Sequence, residues 1–241
     1  MSNILVVTMG GGSRGLGKSL LNKFSQYGCD SAAFHRREDI KHANNYFLDL
    51  DSISSITSIT DKIESLLTAT SYDHYLFHFV SGGGLQIDLK DNTLASFNRV
   101  LLHNLIFPSC ITSTLFKFPD KEKLIDLFYY SSAVVKNHKG SPYYVSSKSA
   151  LEAFFRSSFL QRPSNIRMYL LRLGFVDIEH KYYHKLSKEN PNDFHKILLD
   201  NLPSLHFTTP NEISDFALEI FKNGNMMNGL QCDLSGGHSW K

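Results

Sequence analysis

Cysteine is scarce in this chain of 241 residues. Its three cysteines, Cys29, Cys110 and Cys232, are odd in number, far apart and without metal-ligand spacing. That sets aside a disulfide framework and a thiolate zinc site, and leaves reduced, buried thiols as the reading. No apolar run reaches the roughly eighteen residues of a membrane span, and Ile4 to Val7 is too short for a signal-peptide core. An excess of one charge is also missing: Lys+Arg number 25 against 23 Asp+Glu, so there is no general pull toward nucleic acid or anionic membrane. Any basic site must be local. With no internal repeat, low-complexity linker or break in composition, the chain reads as one α/β domain with a sizeable core. A cytoplasmic protein with neither nucleic-acid nor membrane partners is expected.

What is present begins at the N-terminus. Ile4 to Thr8 is a β-branched apolar run, a glycine cluster follows, and Leu16, Leu20, Leu21, Phe24 and Tyr27 then recur at helical spacing. This is strand, tight turn, helix. In the turn, MGGGSRGLGK, Gly11, Gly15 and Gly17 give G-x-x-x-G-x-G around Ser13, Arg14 and Leu16. Glycine there permits positive φ and close approach of the backbone to a pyrophosphate, whose charge the helix N-terminus favours. Ser31 to Phe34 is a second strand candidate ending in His35, Arg36 and Arg37. At that point an acidic residue would bind the 2′-hydroxyl of NAD, whereas arginine accommodates the 2′-phosphate of NADP. No carboxylate stands there, and Arg14 could add a second cation, so NADP(H) is favoured over NADH. A solvated surface pair of arginines is the alternative.

The alternation of strands and helices continues. Tyr46 to Leu50 reads as a third strand with Asp49 near its end, Ile53 to Leu67 as an amphipathic helix, and Tyr75 to Val80 as a buried fourth strand running into Ser81, Gly82 and Gly83. A long helical pattern from Leu94 to Phe116 contains Asn104 and Pro108. Leu124 to Tyr130 is a fifth strand delivering Ser131 and Ser132 at the end where ligands bind in open parallel sheets. Tyr144 and Lys148 lie four apart, with Leu151, Phe154 and Phe155 following at helical spacing, so an ammonium should stand one turn from a phenol. A neighbouring cation pulls a phenol's pKa down from about 10, which makes tyrosine usable as a general acid-base. Tyr-x-x-x-Lys alone is a common pattern on amphipathic helices. Tyr169 to Leu173 is a sixth strand ending in Gly174, residues from Glu179 to Phe207 turn irregular as in a pocket-covering insert, and Ile213 to Phe221 and Gly229 to Leu234 read as a last helix and strand. His180 and His184 have metal-compatible spacing, but without an HExxH glutamate or third ligand a surface or pocket role is read, and no metal is expected.

Taken together and in order, these motifs resemble the short-chain dehydrogenase/reductase family in its compact type, across essentially the whole chain. The family's T-G-x-x-x-G-x-G matches Gly10 to Gly17 with Gly10 in place of threonine. Its adenine-binding aspartate matches Asp49, beside Leu50, its helical asparagine Asn104, its serine the Ser131-Ser132 pair, and its Y-x-x-x-K Tyr144 and Lys148. CDLSGG resembles a terminal D-x-x-G signature. Departures are Val80-Ser81-Gly82-Gly83 in place of N-N-A-G, Leu173-Gly174 in place of P-G, and Ile178 where threonine is frequent.

The resemblance implies a single-domain, Rossmann-like, doubly wound parallel sheet of about seven strands flanked by helices. It implies that Tyr144 donates a proton to the substrate oxygen, that Lys148 lowers its pKa and binds the nicotinamide ribose, and that Asn104 holds a water in a proton relay. A serine polarises the carbonyl. Ser132 is favoured because the family usually uses the second of such a pair, while Ser131 has the commoner separation from the tyrosine. Gly11, Ser13, Arg14, Gly15, Leu16, Gly17, His35, Arg36, Arg37, Asp49, Leu50, Ser81, Gly82, Gly83, Gly174 and the Val176 backbone would hold the dinucleotide. An NADPH-dependent carbonyl reductase follows, as a homodimer or homotetramer through the helices carrying Asn104 and Tyr144. A non-turnover NADP-binding redox sensor is disfavoured by Tyr144 and Lys148, and a nucleotide-sugar enzyme of the extended branch by the glycine spacing and short C-terminal region. Neither a 3-oxoacyl thioester nor a hydroxylated ketone is excluded as substrate.

Overall fold

The computed structural model describes residues 3–11, 14–35, 44–47, 54–80, 93–118, 120–179 and 181–240. Seven strands, all parallel, form one sheet: β1 (Ile4–Met9), β2 (Asp30–His35), β3 (Asn44–Phe47), β4 (His74–Phe79), β5 (Leu124–Ser132), β6 (Ile166–Leu173) and β7 (Gln231–Leu234). Their order across the sheet is β3-β2-β1-β4-β5-β6-β7, so the winding direction reverses between β1 and β4. In an open parallel sheet that reversal leaves a crevice at the carboxyl ends of the strands. The expected doubly wound architecture is the one observed.

Parallel strands buried on both faces read as unbroken apolar runs, and here successive residues serve opposite cores. Leu5, Val7 and Met9 of β1 join Phe77 and Phe79 of β4 and Leu127 and Tyr129 of β5 on one face, against α2 (Ser54–Ala69), α4 (Phe107–Lys117) and, after the single turn α5 (Val134–Asn137), α6 (Pro142–Gln161). Ile4 and Val6 join Leu76 and Phe128 on the other, against α1 (Gly15–Gln26) and α9 (Pro210–Lys222). Each fully buried Leu or Phe in these two layers contributes roughly 1.5–3 kcal/mol. Helix α9 starts at a capping box, in which Thr209 and Glu212 satisfy each other's backbone N–H groups.

Three expectations change. The pattern from Leu94 to Phe116 is not one helix: α3 (Leu94–Leu101) passes through a π-helical turn, Leu102–Ile106, into α4. Pro108 has no N–H for the carbonyl four residues earlier, that of Asn104, and the Phe107 N–H reaches back five residues to the Leu102 carbonyl, so the ladder widens by one residue. The insert from 179 to 207 is not irregular, since it holds α7 (Tyr182–Glu189) and α8 (Pro191–Asn201). Neither has a buried residue, so neither leaves the apolar stripe on which a periodicity reading depends. The last strand begins at Gln231, because Gly229 is taken up by a left-handed turn, φ 88°, packed on the Phe159 ring.

Candidate active site

Along the carboxyl edge of the sheet, the glycine turn after β1 comes first. Gly11 and Gly15 take φ of 65° and 62°, a region only glycine enters freely. Gly17 is constrained by space instead: a Cβ there would lie 2.5 Å from the Gly11 carbonyl carbon, because the first turn of α1 rests on the Gly10-Gly11 backbone. Arg14 is the N-cap of α1 and makes no side-chain cap, leaving the first-turn N–H groups uncapped by it. Such a terminus, with close backbone approach and a cation beside it, fits the pyrophosphate of a dinucleotide. His35 ends β2 buried, its Nε2 3.1 Å from Asn45 Oδ1. Ser13, Arg36, Arg37, Asp49, Leu50, Ser81, Gly82 and Gly83 lie outside the described residues, as does His180.

At the end of β5 the two adjacent serines face opposite ways, as strand geometry requires. Ser131 donates to Glu152 Oε1 at 2.8 Å, and Glu152 is clamped by Arg172 of β6 through Nε and Nη2, both at 2.7 Å. Ser131 therefore belongs to a buried network that ties α6 to the sheet. Ser132 instead lines both chambers beside Tyr144 and acts on its hydroxyl to lower the phenol pKa, and is the serine brought to the tyrosine.

Tyr144 and Lys148 share a face of α6, with the Lys148 Nζ 5.8 Å from the phenol ring centroid and donating to the Tyr130 carbonyl at 2.8 Å. Lys148 is 3% exposed, and burial lowers its pKa from 10.5 to about 8. The expected lowering of the Tyr144 pKa by the ammonium is not what the chain alone provides. Burial pushes the phenol up, and the neighbouring Ser132 hydroxyl works the other way without reversing it. The phenol is accordingly held protonated, as a proton donor must be. Asn104, in the π turn, is 1% exposed, and neither its amide oxygen nor its nitrogen meets a protein partner.

Two chambers meet at Ser132 and Tyr144. One, of about 210 Å³, runs toward the glycine turn past Lys148, Val176 and Leu16. The other, of about 360 Å³, runs toward the insert and is closed by Tyr183, Asn201 and His238. Gly174 borders both, and a Cβ there would lie 2.8 Å from the Ser235 Cα. Val176 bridges to Thr208 through the Phe175 carbonyl and the Asp177 N–H, so its own N–H and C=O are not used by that bridge. Sequence reasoning missed the wall of the larger chamber. Ser141 before Pro142 was a readable N-cap signal, and His238 directly follows the glycine pair that closes the last strand, whereas Lys139 and Asn201 carried no signal.

Among the described residues no group of three His, Cys, Asp or Glu could hold a metal ion, and no helix is long and apolar enough to cross a membrane. His184 Nδ1 lies 3.1 Å from Asp177 Oδ1.

No family model and no curated protein sequence matches the chain. Solved structures match it in fold. L-sorbose reductase from Gluconobacter frateurii, solved with NADPH and L-sorbose, superposes with a TM-score of 0.82 at 16% identity, over 98% of this chain and 96% of that one. A short chain dehydrogenase family protein from Francisella tularensis gives 0.79 at 19% identity over 100% of both chains. Aldohexose dehydrogenase from Thermoplasma acidophilum gives 0.79 at 16% over 100% of this chain and 95% of that one. The chain thus has the fold of short-chain dehydrogenase/reductase structures.

Proposed function

We propose that this chain is a short-chain oxidoreductase that reduces a small carbonyl compound with NADPH. The observation that carries the reading is the junction itself: Ser132 and Tyr144 stand between a chamber leading to the glycine turn and a chamber leading to the insert, with Lys148 buried behind them. The smaller chamber, lined by Leu16, Lys148 and Val176, would hold the nicotinamide, which when bound would supply the hydride for the carbonyl carbon. Tyr144 delivers the proton to the carbonyl oxygen, and Ser132 donates a hydrogen bond to the same oxygen as its charge develops. Lys148, an ammonium below about pH 8, would donate to the ribose hydroxyls of a bound nucleotide. Asn104, its amide buried without a protein partner, is suited to hold a water between Lys148 and solvent.

NADP(H) is preferred over NAD(H) on the strength of Arg14 at the α1 N-cap and of Arg36 and Arg37 after β2, and an NADPH complex exists for the sorbose reductase of the same fold. Assembly through α4 and α6 belongs to the same reading, with Leu160 of α6, 84% exposed, among the side chains a partner subunit would cover.

Titration of the nicotinamide fluorescence of NADPH and of NADH tests the reading, followed by oxidation of the bound nucleotide in the presence of ketoses, aldoses and simple ketones. Tighter binding of NADPH with carbonyl-dependent oxidation is the expected result. Failure to bind either nucleotide would overturn it.

A further inference from the structure

The larger chamber has a chemical bias of its own. Among the described residues that line it there is no carboxylate, and its one formal charge is the exposed ammonium of Lys139, which has no acidic partner among them. Beside Lys139, Ser141 places a hydroxyl oxygen that is buried and has no hydrogen-bond partner. Ser141 is also the N-cap of the twenty-residue α6, and its side chain makes no cap. His238 and Asn201 complete the polar side, held together by the bond between His238 Nδ1 and the Asn201 carbonyl at 3.2 Å. Burial and the nearby Lys139 both lower the pKa of His238, so the imidazole is neutral and adds a polar contact without a second charge. Phe175 packs on the His238 ring, centroids 4.4 Å apart, and on Tyr183, centroids 4.9 Å apart, and gives the chamber an apolar surface beside the polar one. The volume, about 360 Å³, has room for roughly a dozen water-sized groups.

We infer that the substrate is a small carbonyl compound carrying an oxyanion, carboxylate or phosphate, which Lys139 holds while the carbonyl lies at Ser132 and Tyr144. This rests on the reductase reading and adds the substrate's charge. An unpaired cation on a wall where the described residues supply no carboxylate favours an anionic ligand. Docking the anion there fixes the distance of the carbonyl from Tyr144, which converts binding energy into position.

The test compares charged and neutral pairs: acetoacetate with methyl acetoacetate, and dihydroxyacetone phosphate with dihydroxyacetone. For at least one pair, kcat/KM for the anion should exceed that for the neutral partner by about tenfold or more, and Lys139→Gln should bring the ratio close to one. The pair that discriminates says which oxyanion is taken. Calorimetric binding of the same compounds to the chain, alone and saturated with NADP+, reads the anion site without turnover. Lys139-dependent binding of an anion supports the inference even if no compound is reduced, in which case the reductase reading alone fails. Equal handling of anion and neutral partner in both pairs, or an anion preference that survives Lys139→Gln, overturns it.

Discussion

Replacing Lys148 with methionine should stabilise the nucleotide-free protein at neutral pH relative to its stability at high pH, while abolishing turnover. Methionine has similar length and suits an apolar surround. Lys148 is 3% exposed, and its pKa falls from 10.5 to about 8 on burial. Between those values the unfolded chain holds a proton that the folded chain does not, so wild-type stability rises with pH across that window. Below pH 8 the folded protein carries the ammonium and the full penalty applies. At about 1.4 kcal/mol per pH unit, the interval corresponds to ~3 kcal/mol. The Tyr130 carbonyl loses its donor in Lys148→Met, a pH-independent offset of about 1–3 kcal/mol, so the sign of the difference at one pH decides little. Its change with pH decides the matter. Urea denaturation followed by circular dichroism at pH 7, 8, 9 and 10 should show the variant's advantage shrinking by roughly 2–3 kcal/mol over the series, since other titrating groups cancel between the two proteins. Parallel profiles would mean that Lys148 keeps its ordinary pKa in the fold, and would remove the basis for treating it as a tuned group.

Further outcomes follow from the same structure. Gly17→Ala should abolish nucleotide binding and lower stability by about 1–3 kcal/mol, because the new methyl group would sit 2.5 Å from the Gly11 backbone; undiminished NADPH binding would show that the cradle is elsewhere. Arg172→Met should lower stability by ~3–5 kcal/mol by leaving Glu152, 2% exposed, without its clamp, and a loss under about 1 kcal/mol in urea would mean that the exposed Arg156 compensates. His78, buried against Phe128 with its pKa near 3, stays neutral while an unfolded histidine charges at about 6.5, so wild-type stability should fall as pH drops from 6.5 toward 3. His78→Phe should flatten that fall, as read by thermal denaturation between pH 7 and 4.

The parts that were legible in the sequence are those that a repeating physical demand writes into it. Ile4 to Thr8 and Tyr75 to Phe79 are buried on both faces and so read as continuous apolar runs, and the glycine turn is set by φ and by space at Gly11, Gly15 and Gly17. Tyr144 and Lys148 were legible because helix spacing fixes their common face. The break at Asn104 was not, since Pro108 signals a disturbed ladder without saying that a π turn absorbs it. Nor were α7 and α8, which bury nothing, or Lys139 and Asn201, which meet His238 only through the fold. Ser131 and Ser132 were separable only by structure: adjacent residues in a strand point to opposite faces, and which face holds the tyrosine depends on where α6 packs.

The central claim is that Tyr144 gives the proton at the junction of the two chambers. Single-turnover oxidation of bound NADPH by a reducible carbonyl compound, followed at 340 nm for wild type and for Tyr144→Phe with the nucleotide affinity of each measured alongside, tests it most directly. Tyr144→Phe should bind NADPH as wild type does and oxidise it at least about a thousandfold more slowly, the size expected for loss of a general acid and its hydrogen bond. Oxidation at an unchanged rate with unchanged affinity would contradict it.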